Sequence, residues 1–167
     1  MDIAKKLIKQ LDLQPHPEEG GYFKEIYRSE QILSAENLPS KYKEERNLCT
    51  SIYFLLTKGT FSRMHRLGSD EIYHFYTGGP VELLLLHPSG KGEKVLLGND
   101  IENGQRPQIV VPAGIWQGSM LTHKAEYALL GTTVAPGFEY QDYENADKSE
   151  LLSNFPKFQT DIEQLCL

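Results

Sequence analysis

His65 and Glu71 are the residues whose types and spacing best suit chemistry. They stand six residues apart between Gly59 and Gly78, with strand-like sequence on both sides. An imidazole beside a carboxylate suits general acid–base work. The same two side chains are also common metal ligands. Leu67 follows two residues after His65, where a second metal ligand is expected. Three readings stay open: a metal site, a site that has lost its metal, and a pocket that never held one.

Other residues join this pair by parity. Side chains alternate faces along a strand, so His65 and Leu67 are expected to point the same way. Glu71, Tyr73 and Phe75 share one face, and Ile72, His74 and Tyr76 share the other. A hairpin between the two strands would bring His65 and Glu71 together. Gln117 offers an amide donor and acceptor for a hydroxyl or carbonyl. Tyr73, Trp116 and Tyr53 supply flat walls suited to a sugar ring or an aromatic ligand. Arg28 and Arg63 carry the guanidinium that an anionic group would need, though a surface ion pair explains them as well. His16, His74, His87 and His123 receive no role.

These residues need a scaffold of short strands. Ile3, Ala4, Leu7, Ile8 and Leu11 repeat at helical spacing, and Pro15 and Pro17 are expected to stop that first helix. Gly20-Gly21 followed by Tyr22–Arg28 reads as a turn into a strand. Residues 30–47 read as a long polar loop, and Lys41–Arg46 within it as solvated. Strands are expected at 51–57, 61–65, 71–76, 81–87, 94–97, 108–111 and 127–134. Val81–His87 is apolar enough to be buried on both faces. Gly- and Pro-bearing turns separate these runs, which is the pattern of an antiparallel sandwich or barrel. From about Asp147 the chain turns helical, with Leu151, Leu152 and Phe155 available to pack onto the barrel. One domain over residues 1–167 is expected, its barrel core at about 50–143.

Composition excludes several classes. The chain has 167 residues, with 17 Lys and Arg against 23 Asp and Glu, a net charge of −6. That balance lacks the basic stripe of a nucleic-acid surface. No apolar run is long enough to span a bilayer. The charged N-terminal segment does not resemble a signal peptide. Cys49 and Cys166 read as two reduced thiols. A soluble cytoplasmic protein is the expectation.

The stretch from Gly59 to Gly78 resembles the first motif of the cupin superfamily, which runs Gly, His-x-His, Glu, Gly. This chain matches at Gly59, His65, Glu71 and Gly78 and departs at Leu67. Pro112-Ala113-Gly114 with Gln117 resembles the second motif, with glutamine in place of its histidine. Three segments resemble more closely the uncharacterised cupin-5, or yeast cupin-like, branch. They are His16–Phe23 running into Tyr27-Arg28-Ser29, His65–Leu67 with Asp70–Tyr76, and Val111–Gln117 with Ala135–Tyr140.

The resemblance implies an all-β double-stranded β-helix, or jelly roll, with an N-terminal helix and a short helical C-terminal tail. It also implies a deep pocket and a homodimer. Leucine cannot ligate a metal, and a glutamine oxygen is a weak donor beside imidazole. The expected activity is therefore a metal-independent isomerase or epimerase on a sugar-like or polar cyclic substrate, with no cofactor. His65 would be the base, Glu71 its orienting partner, Tyr73 the candidate acid, and Gln117, Trp116, Tyr53 and Arg28 the substrate contacts. One alternative is a metal-dependent cupin enzyme holding a divalent ion on His65, Glu71 and Gln117. The other is a non-catalytic small-molecule binding protein.

Overall fold

The computed structural model describes residues 2–166. Helix α1 (Ile3–Gln10) starts where the Asp2 carboxylate accepts the Ala4 N–H at 3.1 Å. It ends before the prolines, at Leu11, because Asp12 takes a left-handed φ of 52°. The strands then follow: β1 (Gln14–Pro15), β2 (Tyr22–Arg28), β3 (Ile32–Leu33), β4 (Arg46–Asn47), β5 (Thr50–Thr57), β6 (Phe61–Leu67), β7 (Asp70–Gly78), β8 (Val81–Leu86), β9 (Gly92–Leu97), β10 (Gln108–Val111), β11 (Trp116–Leu121), β12 (Tyr127–Ala135) and β13 (Tyr143–Asn145). Helices α2 (Lys148–Asn154) and α3 (Gln159–Leu165) close the chain.

One sheet runs β1-β2-β5-β12-β7-β10 and the other β13-β6-β11-β8-β9, with β3 and β4 as a separate ribbon. Every strand pair is antiparallel. The two sheets enclose a core that includes Phe54, Leu56, Tyr73, Leu83, Leu85 and Leu130. The apolar run of β8 is buried on both faces, as its composition demands. Leu83 and Leu85 enter the core between the sheets, while Leu84 and Leu86 meet Leu151, Phe155 and Ile162 of the C-terminal helices. Asp147 caps α2 by accepting the Glu150 N–H at 2.9 Å.

Strand β11 was absent from the expected series. Its sequence, Trp116-Gln117-Gly118-Ser119, is polar and carries a glycine, so it lacks ordinary strand chemistry. Its outer face is closed by Met64 and the last helix: a side-chain carbon at Gly118 would lie 2.6 Å from the Met64 sulfur and 3.2 Å from the Leu165 side chain of α3. Tertiary packing overrides local preference there. The 30–47 loop also holds more order than expected, with Tyr42 and Arg46 buried.

Strands β6 and β7 do not form the expected hairpin. They lie in opposite sheets, and Gly68-Ser69 carries the chain across. Tyr42 props that crossing, its hydroxyl 2.8 Å from the Ser69 hydroxyl and donating to the Gly68 carbonyl at 3.1 Å. His65 and Glu71 therefore approach from opposite walls of the barrel. A bulge in β6 sets the facing: Gln117 pairs with His65, but Ser119 pairs with Ser62. The extra residue turns Ser62, His65 and Leu67 inward and sends Met64 out beneath α2 and α3.

Candidate active site

A cavity of about 100 Å³, open at its mouth, lies at one end of the barrel. His65 lines it from β6 and is 1% exposed. Its Nδ1 lies 2.7 Å from the Arg63 carbonyl. A carbonyl only accepts, so the neutral ring carries its proton on Nδ1 and keeps the lone pair on Nε2. Burial lowers the His65 pKa, opposed by the nearby Glu71 charge. The Tyr143 ring stacks on the imidazole at 4.9 Å between centroids. Strand β13 brings Tyr143 there by pairing with β6. A buried Arg46–Asp142 ion pair, with two contacts of 2.8 and 2.9 Å, anchors the residue just before it.

Glu71 enters from the start of β7 and is also buried. Gln117 Nε2 donates to its Oε2 at 2.8 Å. Burial, then the neighbouring Glu19 charge, push the Glu71 pKa up to about 7, against the lowering influence of His65, Thr132 and Gln117. The Gln117 Oε1, turned from that bond, is buried with no hydrogen-bond partner among the described residues.

A second imidazole–carboxylate pair, His16 and Glu19, lines the same cavity. It sits on the turn between β1 and β2. The Glu19 N–H donates to His16 Nδ1 at 2.9 Å, so the neutral His16 ring carries its proton on Nε2, 3.9 Å from Glu19 Oε2. Ser62 donates a hydrogen bond to Glu19 Oε1. Burial lowers the His16 pKa and raises that of Glu19. Gly20 and Gly21 make this placement possible. Both have positive φ, and a side-chain carbon at Gly20 would lie 2.5 Å from the Phe61 carbonyl. The sequence reading left His16 without a role and passed over Glu19 and Tyr143. Paired glycines next to a His and a Glu were the available signal for the first two; nothing local marks Tyr143.

The other expected residues are scattered by the fold. Tyr73 is buried behind Glu71, outside the cavity lining; burial, then the charges of Glu71 and Glu19, raise its pKa well above the usual tyrosine value. Trp116 precedes Gln117 on one strand and so faces the other way. It packs under the C-terminal helices with the Arg66 guanidinium 4.4 Å from its ring centroid. Tyr53 lies on the outer face of the six-stranded sheet, edge-on to Tyr76. His74 is also on that face, hydrogen-bonded to Thr133, as parity predicts. Gln117 supports Glu71 from outside the lining.

Arg28 does reach the cavity mouth, but all of its donors are engaged. Nε and Nη2 donate to Glu25, Nη1 to Asn47 and Glu139, and Nη2 also to the Phe138 carbonyl. A guanidinium has five N–H groups, so none is left for the anionic ligand considered from sequence.

The residues do not fit a cupin-type metal. Leu67 lines the cavity where a donor is required. Gln117 turns its N–H, not its oxygen, toward Glu71. Among the described residues, no group of three His, Cys, Asp or Glu side chains is arranged to hold an ion.

Two antiparallel sheets around a cavity, with His65 and Glu71 on its opposite walls, define a cupin-type double-stranded β-helix. The chain belongs to the Cupin_5 family of the cupin superfamily (DUF985), whose pattern matches residues 5–146. It is 34% identical over 148 residues to the uncharacterised protein YML079W of Saccharomyces cerevisiae, covering 83% of this chain and 73% of that one. Among solved structures it resembles protein SO0799 of Shewanella oneidensis, with a TM-score of 0.87, 35% identity and coverage of 100% and 99%. Oxalate decarboxylase of Bacillus subtilis is more distant, with a TM-score of 0.53, 15% identity, 93% of this chain and 38% of that one. That likeness is of fold alone. Among the described residues no helix is long and apolar enough to cross a membrane.

Proposed function

We propose that the cavity is the site of a metal-independent isomerase or epimerase that moves a proton on a sugar-like or polar cyclic substrate. The observation that carries this reading is the state of His65. Its Nδ1 is committed to the Arg63 carbonyl and its pKa is lowered, so Nε2 is a free lone pair at neutral pH. Across the cavity, Glu71 titrates near 7 and is partly protonated at the same pH. Two groups pushed to opposite protonation states supply a base and an acid. Glu71 takes the acid role expected of Tyr73, which lies outside the cavity lining, and the Arg63 carbonyl takes over the orienting of His65.

Free hexoses in D₂O provide the test. Deuterium is expected at C2 of a substrate hexose, beside the open-chain aldehyde whose oxygen takes up the electron pair, and His65→Gln should slow its entry at least about 100-fold with the fold intact. Unchanged exchange in that variant removes His65 as the base. Hexoses that bind but exchange nothing make the chain a binding protein instead.

We also propose that the chain forms a homodimer. The short β1 leaves an open sheet edge, and Ile26 and Tyr27 on neighbouring β2 are 46% and 53% exposed. Sedimentation giving only the 19.0 kDa monomer at high concentration ends that reading.

A further inference from the structure

The cavity carries four carboxylates, Glu19, Glu25, Glu71 and Glu139, against one permanently charged cation, Arg28. Arg28 has no N–H to spare, being held by Glu25, Glu139, Asn47 and a carbonyl. Neither imidazole replaces it as a cation: burial lowers the pKa of both, His65 offers a lone pair, and the only N–H of His16, on Nε2, lies 3.9 Å from the Glu19 carboxylate. The walls add aromatic faces from Phe23, Phe138, Tyr140 and Tyr143, surfaces that attract cations. Burial raises the hydroxyl pKa values of Tyr140 and Tyr143, and the charges of Glu18 and Glu19 raise them further.

We infer that the cavity selects a ligand with a protonated amine on a polar ring, an amino-sugar-like cation, and rejects carboxylate and phosphate analogues. The inference rests on the cavity being the ligand site named above and adds the charge of the ligand. It also separates this site from that of the oxalate decarboxylase with which the fold is shared, since oxalate is a dianion.

Glucosamine, glucose and glucuronate are the probes, titrated at neutral pH and low ionic strength while backbone amide and His65 ring resonances are followed by NMR. Glucosamine should bind about tenfold more tightly than glucose, with glucuronate undetected, and the preference should shrink with added salt. Glu19→Gln should bring the glucosamine-to-glucose ratio towards one. Because Glu19 also shapes its turn, Glu139→Gln is a second variant. It frees one Arg28 N–H and should admit glucuronate. Glu126→Gln, an exposed acid paired with Lys58, should leave the ratio unchanged. Equal affinity for all three sugars, or tighter glucuronate, overturns the charge selection while leaving the cavity a ligand site. No shift at any cavity residue with any probe overturns the selection and the catalytic reading together.

Discussion

The two ends of the barrel interior are built from the same strands and the same faces, yet one is a cavity and the other a solid core. On β5, Thr50 and Ile52 line the cavity while Phe54 and Leu56 fill the core. On β7, Glu71 belongs to the first and Tyr73 to the second. On β12, Val134 and Thr132 give way to Leu130 and Ala128. Alternation decides only that these side chains point inward. Which end is hollow depends on what meets them from the opposite sheet. Leu83 and Leu85 of β8 close one end, whereas His65 and Leu67 of β6 leave the other open. The core end gains from burying apolar surface. The cavity end holds carboxylates out of water with few donors, an arrangement that opposes stability. The proposed site lies where packing is weakest.

Truncation at the two ends should expose this contrast. Leu130→Ala, in the packed end, is expected to destabilise by about 2–5 kcal/mol in urea unfolding, because a closed cavity replaces the lost methyl groups. A cost as small as that at the open end would mean the two ends are equally packed.

Glu71→Gln tests the cavity end by charge. The folded-state pKa of Glu71 is raised to about 7, so its contribution to stability is fully present below the ordinary carboxyl value and is lost as pH rises through about 7. The variant cannot lose a proton. It should exceed the parent by about 1–3 kcal/mol at pH 8 and show a flatter profile of Tm against pH between 5 and 8. A parent whose Tm rises with pH over that interval, with the variant following it, removes the buried carboxylate as the cause.

Leu67→Ala should have the smallest effect, about 1 kcal/mol, since the truncated side chain opens onto space that is already empty. It also enlarges the gap where a cupin metal ligand would stand. A loss matching that of Leu130→Ala would mean the cavity wall is as tightly packed as the core.

Much of the scaffold was legible because it depends on local signals. Strand runs, glycine turns and the Asp147 cap are short-range features that the sequence displays openly. The spacing from Gly59 through His65 and Glu71 to Gly78 was legible as a family pattern. Residues that pair with the rest of the fold were not. Trp116 and Gln117 were both expected as substrate contacts, but neighbours on a strand diverge, and without β11 recognised as a strand parity had no purchase. His16 and Glu19 reach the cavity only because Gly20 and Gly21 let their turn lie against β5 and β6. Tyr143 arrives from far along the chain by pairing with β6.

The sequence by itself determined an antiparallel β barrel or sandwich and, through its resemblance to the cupins, a jelly roll with His65 and Glu71 at its pocket. The first follows from strand periodicity and turn chemistry, the second from motif spacing, and both signals are local. Tertiary structure alone decided that these two face one cavity from opposite sheets, that His16 and Glu19 line it as well, and that Arg28 is already held by Glu25 and Glu139. Those outcomes depend on side chains distant in the chain competing for the same donors and the same space, and no window of sequence contains that competition.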